Sequence, residues 1–305
     1  MHETWKTALA IGLALLAALL FAVAAVLQQK GTEGMSDKDA VGAGFLVKLA
    51  KRRVWVAGIV ADTLGFVAQA GALVFGSLLL VQPLLVTTLL FALPLAAYGN
   101  HRKLTLREWF WALVLMASLI VFMVLGEPTE GINDPSGKSW IIPIAILIPL
   151  VAFCVVRGSK MPHGTGRSLT LAVAAGLLLG YSAPFTKTGI DAFAQGLLSG
   201  LASWEFWAMA ITATLGTLWQ QSSYQAGDVQ TSLPTVTVLK PVVAMVLGLT
   251  IYGEHLKVGH VGDAIVIAAL VVMFVAAFAL GRLGAPPDSP DPSAPGVSPK
   301  PARSS

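Results

Sequence analysis

The sequence predicts an all-α polytopic membrane protein of about nine transmembrane helices, arranged as an inverted 4+1+4 repeat. Three observations carry that prediction. Of 305 residues 55% are apolar and 12% charged, with a mean hydropathy of +0.75; an ordinary soluble domain is about a quarter charged. The apolar residues fall in runs near the length of about 20 that crosses hydrocarbon. The two halves of the chain also resemble each other at a nearly constant offset.

Taken in order, the runs place helices at 7–29, 54–76, 78–97, 105–126, 139–156, 168–190, 204–226, 229–251 and 258–281. Backbone polar groups in lipid must be paired within their own segment, so helices are the spanning form. The alternating ten-residue pattern of a membrane β-barrel is absent. The first run is longer than the apolar stretch of a signal peptide, and its basic residues follow rather than precede it, so it reads as a retained span. The third carries Pro83 and Pro94 and the fifth is short, which makes their ends the least defined. After Gly284 the chain becomes rich in proline and serine, the composition of a disordered tail.

The basic residues orient the chain. With the N-terminus outside, the segments 30–53, 98–104, 157–167 and the tail, with the flanking Arg107, hold 15 of the 20 Lys and Arg residues. The outer side holds Lys6, Lys138 and Lys257, and Lys187 and Lys240 lie within spans. This is a positive-inside distribution, with the C-terminus in the cytoplasm and the chain in the cell membrane. It also disposes of nucleic acid as a partner, although the net charge is +4, because the positive charges sit in short loops between apolar runs. The one cysteine, Cys154, lies in an apolar run and builds no disulfide framework.

Thr63-Leu64-Gly65 recurs as Thr214-Leu215-Gly216, and at the same offset Gln69, Gly76 and Pro83 match Gln220, Gly227 and Pro234. Three residues later in offset, Tyr98-Gly99 and His101 match Tyr252-Gly253 and His255. Helices 1–4 and 6–9 thus form two units, at 1–126 and 168–282. The linker 127–167 holds helix 5, and the tail occupies 283–305. An odd linking helix inverts the second unit relative to the first, the architecture of alternating-access carriers with a site near the midplane.

The run from Lys240-Pro241 to Gly253-Glu254-His255-Leu256 resembles the closing signature of a repeat in the drug/metabolite transporter superfamily. Within it the layout is most similar to the NIPA-type magnesium transporter branch, through Val26-Leu27-Gln28-Gln29-Lys30-Gly31, Leu80-Val81-Gln82-Pro83-Leu84 and Gln221-Ser222-Ser223-Tyr224. The resemblance covers residues 8–282 and implies a membrane carrier. In that branch an acidic residue tends to follow the glycine of helix 2; here Phe66 follows Gly65, and Asp62 lies one turn earlier.

Ionisable groups within spans are costly and by default mark function. Asp62 and Lys240 are the deepest, and their repeat counterparts are Ala213 and Val86, so the charge is asymmetric between the halves. They fit a substrate or proton-coupling site, or equally a structural ion pair. Gln69, Gln82, Tyr181, Gln220, Gln221 and Tyr224 complete the candidate substrate-binding set, since lipid satisfies none of their donors or acceptors. Interhelical hydrogen bonding is the competing explanation. Gln69 and Gln220, as repeat mates, are expected to face each other across the pseudo-twofold axis. Lys187 is expected to snorkel to the outer interface, and Glu254, His255, His260 and Asp263 to form a solvated outer loop. Pro83, Pro184, Pro234 and Pro241 each remove a helical hydrogen bond.

The expected function is therefore a secondary transporter of a small solute, with the bilayer and a small-molecule or ion substrate as partners. A magnesium or divalent-cation carrier is the alternative. Hard cations want several oxygen ligands, whereas the spans offer one acid beside lysine, and no metal site or cofactor is expected. An intramembrane enzyme or lipid-handling factor needs a cluster of catalytic groups, and all five histidines fall in loops. The chain is not expected to be an enzyme.

Overall fold

The computed structural model describes residues 2–32, 51–99, 103–132, 135–226, 229–257 and 260–284. Residues 33–50 and those from 285 onward lie outside them, so the readings of a disordered tail and of most of the first cytoplasmic segment concern residues not described.

Among the described residues the chain is a bundle of helices without strands. They are α1 (His2–Thr32), α2 (Arg53–Phe75), α3 (Leu78–Leu85), α4 (Thr88–Gly99), α5 (Leu106–Gly126), α6 (Ile141–Lys160) and α7 (Thr165–Ala194). The short α8 (Leu197–Ala202) follows, then α9 (Trp204–Ala226), α10 (Val229–Ile251) and α11 (His260–Gly284). Counting α3–α4 as one, eight spans among the described residues are long and apolar enough to cross a membrane. The chain is a multi-pass membrane protein. Apolar side chains cover the outside as well as the interior: Val67, Ile120, Phe153 and Val271 all face outward. In water that surface would be untenable, and in lipid it is the expected one.

The span read as one helix over 78–97 is two. Pro83 has no N–H to give, and after it the backbone tightens, with Val86 N bonding Pro83 O and Thr87 N bonding Leu84 O, each at 3.1 Å. The chain restarts as α4 at Thr88. Ser77 opens α3 as its N-cap, its hydroxyl accepting from Leu80 N. Thr105 and Glu108 form a reciprocal capping box at the start of α5. Helix 5 begins with a short 3-10 turn, Gly137–Trp140, that leads into α6.

Close approach depends on glycine where two helices touch. A Cβ at Gly58 would lie 2.8 Å from Gln28 Cγ and one at Gly65 2.8 Å from Phe21 Cδ1, so the α1–α2 contact needs both hydrogens. In the other half, a Cβ at Gly180 would meet Val243 Cβ at 2.6 Å, and one at Gly216 would meet Leu179 Cγ at 2.7 Å. α7 thereby holds α10 on one side and α9 on the other.

α9 is absent from the eight apolar spans, because Gln220, Gln221, Ser222, Ser223, Tyr224 and Gln225 crowd its last turns. It nevertheless runs the length of the bundle. Trp204 at its start packs edge-on against Trp140, which leads into α6. Ala226 at its end accepts from Gly164 N at 2.8 Å, beyond the far end of α6.

Candidate functional site

Asp62 is the tenth residue of α2 and Lys240 the twelfth of α10, which places both about 15 Å along their helices. They act on each other electrostatically. The Lys240 ammonium lies 5.5 Å from the centroid of Phe21, the ring that also covers Gly65 one turn from Asp62. α1, α2 and α10 therefore meet where charge enters the membrane interior. Asp62 is exposed and Lys240 half-buried. With one carboxylate, one ammonium and the face of an aromatic ring, this junction holds opposite charges in a place where lipid would tolerate neither alone.

Gln69 stands on the same face of α2 as Asp62, two turns further on. It is buried, and its carbonyl oxygen has no hydrogen-bond partner. Gln82, fifth in α3 and one residue before the proline break, is 1% exposed; neither its oxygen nor its nitrogen has a partner. A buried polar group left unsatisfied costs about 1–3 kcal/mol. Two glutamines therefore present three unpaired polar atoms inside the bundle, each needing a bound molecule or water to offset that cost.

The remaining residues read as candidates are placed differently. Tyr181 is buried, and its hydroxyl donates to Pro143 O at 2.8 Å, tying α7 to α6. Gln220 Nε2 donates to Tyr224 Oη at 2.8 Å within α9, and Gln221 is exposed. Among the described residues, no three His, Cys, Asp or Glu side chains gather closely enough to hold a metal ion. A cavity of about 460 Å³ opens at the start of α2, lined by Lys51, Arg53, Val56, Ala57 and Val60. At about 3.6 residues per turn those α2 positions lie on the side opposite Asp62, so it is not an entrance to this junction.

The end of the bundle where α10 finishes and α3 begins holds what the sequence reading missed. Glu254 does not lie in a solvated loop: it is 2% exposed, and Lys187 is buried with it rather than snorkelling. Lys187 Nζ donates to Glu254 Oε1 at 2.7 Å. The same carboxylate accepts the N–H of Leu78 at 2.8 Å and of Leu79 at 2.9 Å, the first two of α3. Those N–H groups have no partner within their helix and carry its positive dipole end, so the carboxylate is neutralised from two directions. Gly253 takes a left-handed φ of 63°, which glycine adopts without strain, and turns Glu254 back toward Gly248 O. Beside it, the Tyr252 hydroxyl donates to Pro184 O at 2.6 Å and accepts from the Thr188 hydroxyl at 2.6 Å. Burial pushes the Tyr252 phenol well above its ordinary range and keeps it a neutral donor. The signal for this cluster lay in the Gly253-Glu254 pair, which a reading of local polarity assigned to solvent.

No family model matches the sequence, and no solved structure matches it. An uncharacterized protein of Corynebacterium glutamicum is 34% identical over 284 residues, covering 92% of this chain and 96% of that protein. End-to-end identity at that level carries the whole helical bundle with it, and the chain belongs to the same family as that Corynebacterium protein.

Proposed function

We propose that this protein is a secondary transporter that moves a small solute across the cell membrane by alternating access, in the manner of the drug/metabolite transporter superfamily. The observation that carries the reading is the set of unpaired amide atoms of Gln69 and Gln82, buried in a bundle that also carries the Asp62–Lys240 couple where α1, α2 and α10 meet. A protein with only a structural task would gain stability by making those positions apolar. A carrier keeps them because its substrate supplies the missing partners.

An inverted 4+1+4 arrangement of nine spans underlies this reading, with the N-terminus outside and the tail inside. The pairing of helices supports it: α1 packs along α2 as α7 packs along α9, α1 touches α3–α4 as α7 touches α10, and α5 packs on α11. The ends agree as well. Trp140, Trp204 and Tyr252, expected outside, cluster together, with Phe185 and Trp204 against Trp140 and Tyr252 edge-on to it, while Gly164 and Ala226, expected inside, are bonded to each other. The ninth span is α9, whose 23 residues reach about 34 Å, enough to cross.

Binding is the step that tests the site without knowledge of the transport direction. A library of metabolites, amino compounds and divalent salts is screened for ligands that raise the unfolding temperature of the purified protein. A ligand near 100 times its dissociation constant adds about 2.7 kcal/mol. The hit is expected to lose its effect in Asp62→Asn and Lys240→Met. A ligand that stabilises both variants as well as the parent removes this site from the proposal, and a hit confined to divalent salts moves the reading to the cation branch.

A further inference from the structure

We propose that the buried Lys187–Glu254 pair, with the amides of Leu78 and Leu79, is the latch that closes the outer side of the transport path. The inference rests on the carrier reading above and adds to it the part that moves.

The latch joins pieces that belong to different halves. Leu78 and Leu79 open α3 in the first half; Lys187 lies in α7, and Glu254 follows α10, in the second. One carboxylate at the end of α10, with no exposed side-chain surface, is the common partner of α3 and α7. The surrounding contacts tie the second half to the linker and to the last residue of the first. Thr129 N donates to His255 O at 2.9 Å, Ile132 N to Tyr252 O at 2.8 Å and Lys257 N to Gly126 O at 3.0 Å, zipping the segment after α5 to the segment after α10. Gly131 fits against Tyr252 O with no room for a Cβ. A Cβ at Gly248 would lie 2.6 Å from Glu254 Oε2, so this packing is fitted to the carboxylate.

Outward opening requires the two halves to part at this end. Glu254 then leaves the α3 N-terminus, while Lys187, on the same half, stays beside it as the counter-ion that keeps it charged. Parting exposes two backbone N–H groups, a carboxylate and an ammonium to the aqueous outside, where water satisfies each of them. A latch made of charge suits a gate for that reason: it is strong when dry, and its parts are readily solvated when opened. An apolar seal would instead expose hydrocarbon on every cycle.

The test reads access rather than cargo. A reporter thiol, Gln69→Cys in a Cys154→Ser background, is labelled by a membrane-impermeant maleimide in right-side-out and inverted vesicles of the full chain. Labelling from outside is expected to rise roughly tenfold or more in Glu254→Gln and in Lys187→Met, and to stay near the parent rate in Lys187→Arg. An unchanged outside rate in both charge-removing variants, with the reporter labelled from inside, overturns the latch and leaves the carrier reading standing. A reporter reached from neither side in any variant overturns the carrier reading instead. Should the charge variants fail to fold, a disulfide between Thr129→Cys and His255→Cys leaves the latch residues native. Oxidation is expected to stop labelling from outside and reduction to restore it; labelling indifferent to that crosslink overturns the proposal.

Discussion

Lys187 Nζ stands 2.7 Å from Glu254 Oε1 with 5% and 0% of the two side chains exposed, and the residues are 67 positions apart. Desolvating two charges is unfavourable, and the arrangement holds only because the carboxylate also accepts from Leu78 N and Leu79 N. Three elements of the fold therefore share one anion, and removing different partners has different costs.

Lys187→Met leaves a buried carboxylate with two amide donors and no counter-ion. It is expected to destabilise the protein by about 3–5 kcal/mol, the usual cost of breaking a buried pair. Glu254→Ala is expected to cost more, since it strands the ammonium and two helix N–H groups together. Thermal unfolding in detergent compares the two, and Lys187→Met proving the more harmful would contradict the account.

Gln82→Met keeps the volume and removes two unpaired buried atoms. The variant is expected to unfold later than the parent, by about 1 kcal/mol or more, and to lose ligand-induced stabilisation. A variant less stable than the parent would mean that Gln82 has a partner within the fold.

Gly248→Ala places a methyl 2.6 Å from Glu254 Oε2 and 3.1 Å from Leu78 Cβ. Overpacking of this kind costs about 1–3 kcal/mol. Gly12→Ala, where nothing lies within 4 Å of the new Cβ, is expected to be neutral or stabilising by up to about 1 kcal/mol. Equal melting temperatures for the two variants would show that the close approach at Gly248 is not a constraint.

Nine crossings put the termini on opposite sides, whereas eight put them on one side. Epitope tags at the two ends, probed with protease in sealed right-side-out vesicles, are expected to show only the N-terminal tag exposed. Both tags exposed or both protected would mean that α9 does not cross.

The helices were legible because lipid leaves the backbone few choices: the apolar runs at 54–76 and 105–126 agree with α2 and α5 to within a residue. The α9 segment was legible as a helix, although its polar last turns keep it out of the eight apolar spans. The break between α3 and α4 was not, since Pro83, Pro94 and Pro149 look alike in sequence and only Pro83 ends its helix. At the site, Asp62 and Lys240 stood out as charge in an apolar setting. Glu254 did not, because it follows a glycine at the end of a span, the ordinary place for a solvated acid. Its partners Leu78 and Leu79 are backbone donors some 176 positions away. No local pattern encodes such a contact; only the three-dimensional meeting of the two halves does.

The central claim, transport of a small solute through this bundle, is met most directly by proteoliposomes incubated in a defined metabolite mixture and analysed for lumenal contents by mass spectrometry. At least one solute is expected to enter vesicles carrying the parent protein and to fall to the protein-free level with Asp62→Asn and with Lys240→Met, while both variants remain folded. Lumenal contents identical to those of empty liposomes for the parent, or undiminished uptake by both variants, would contradict it.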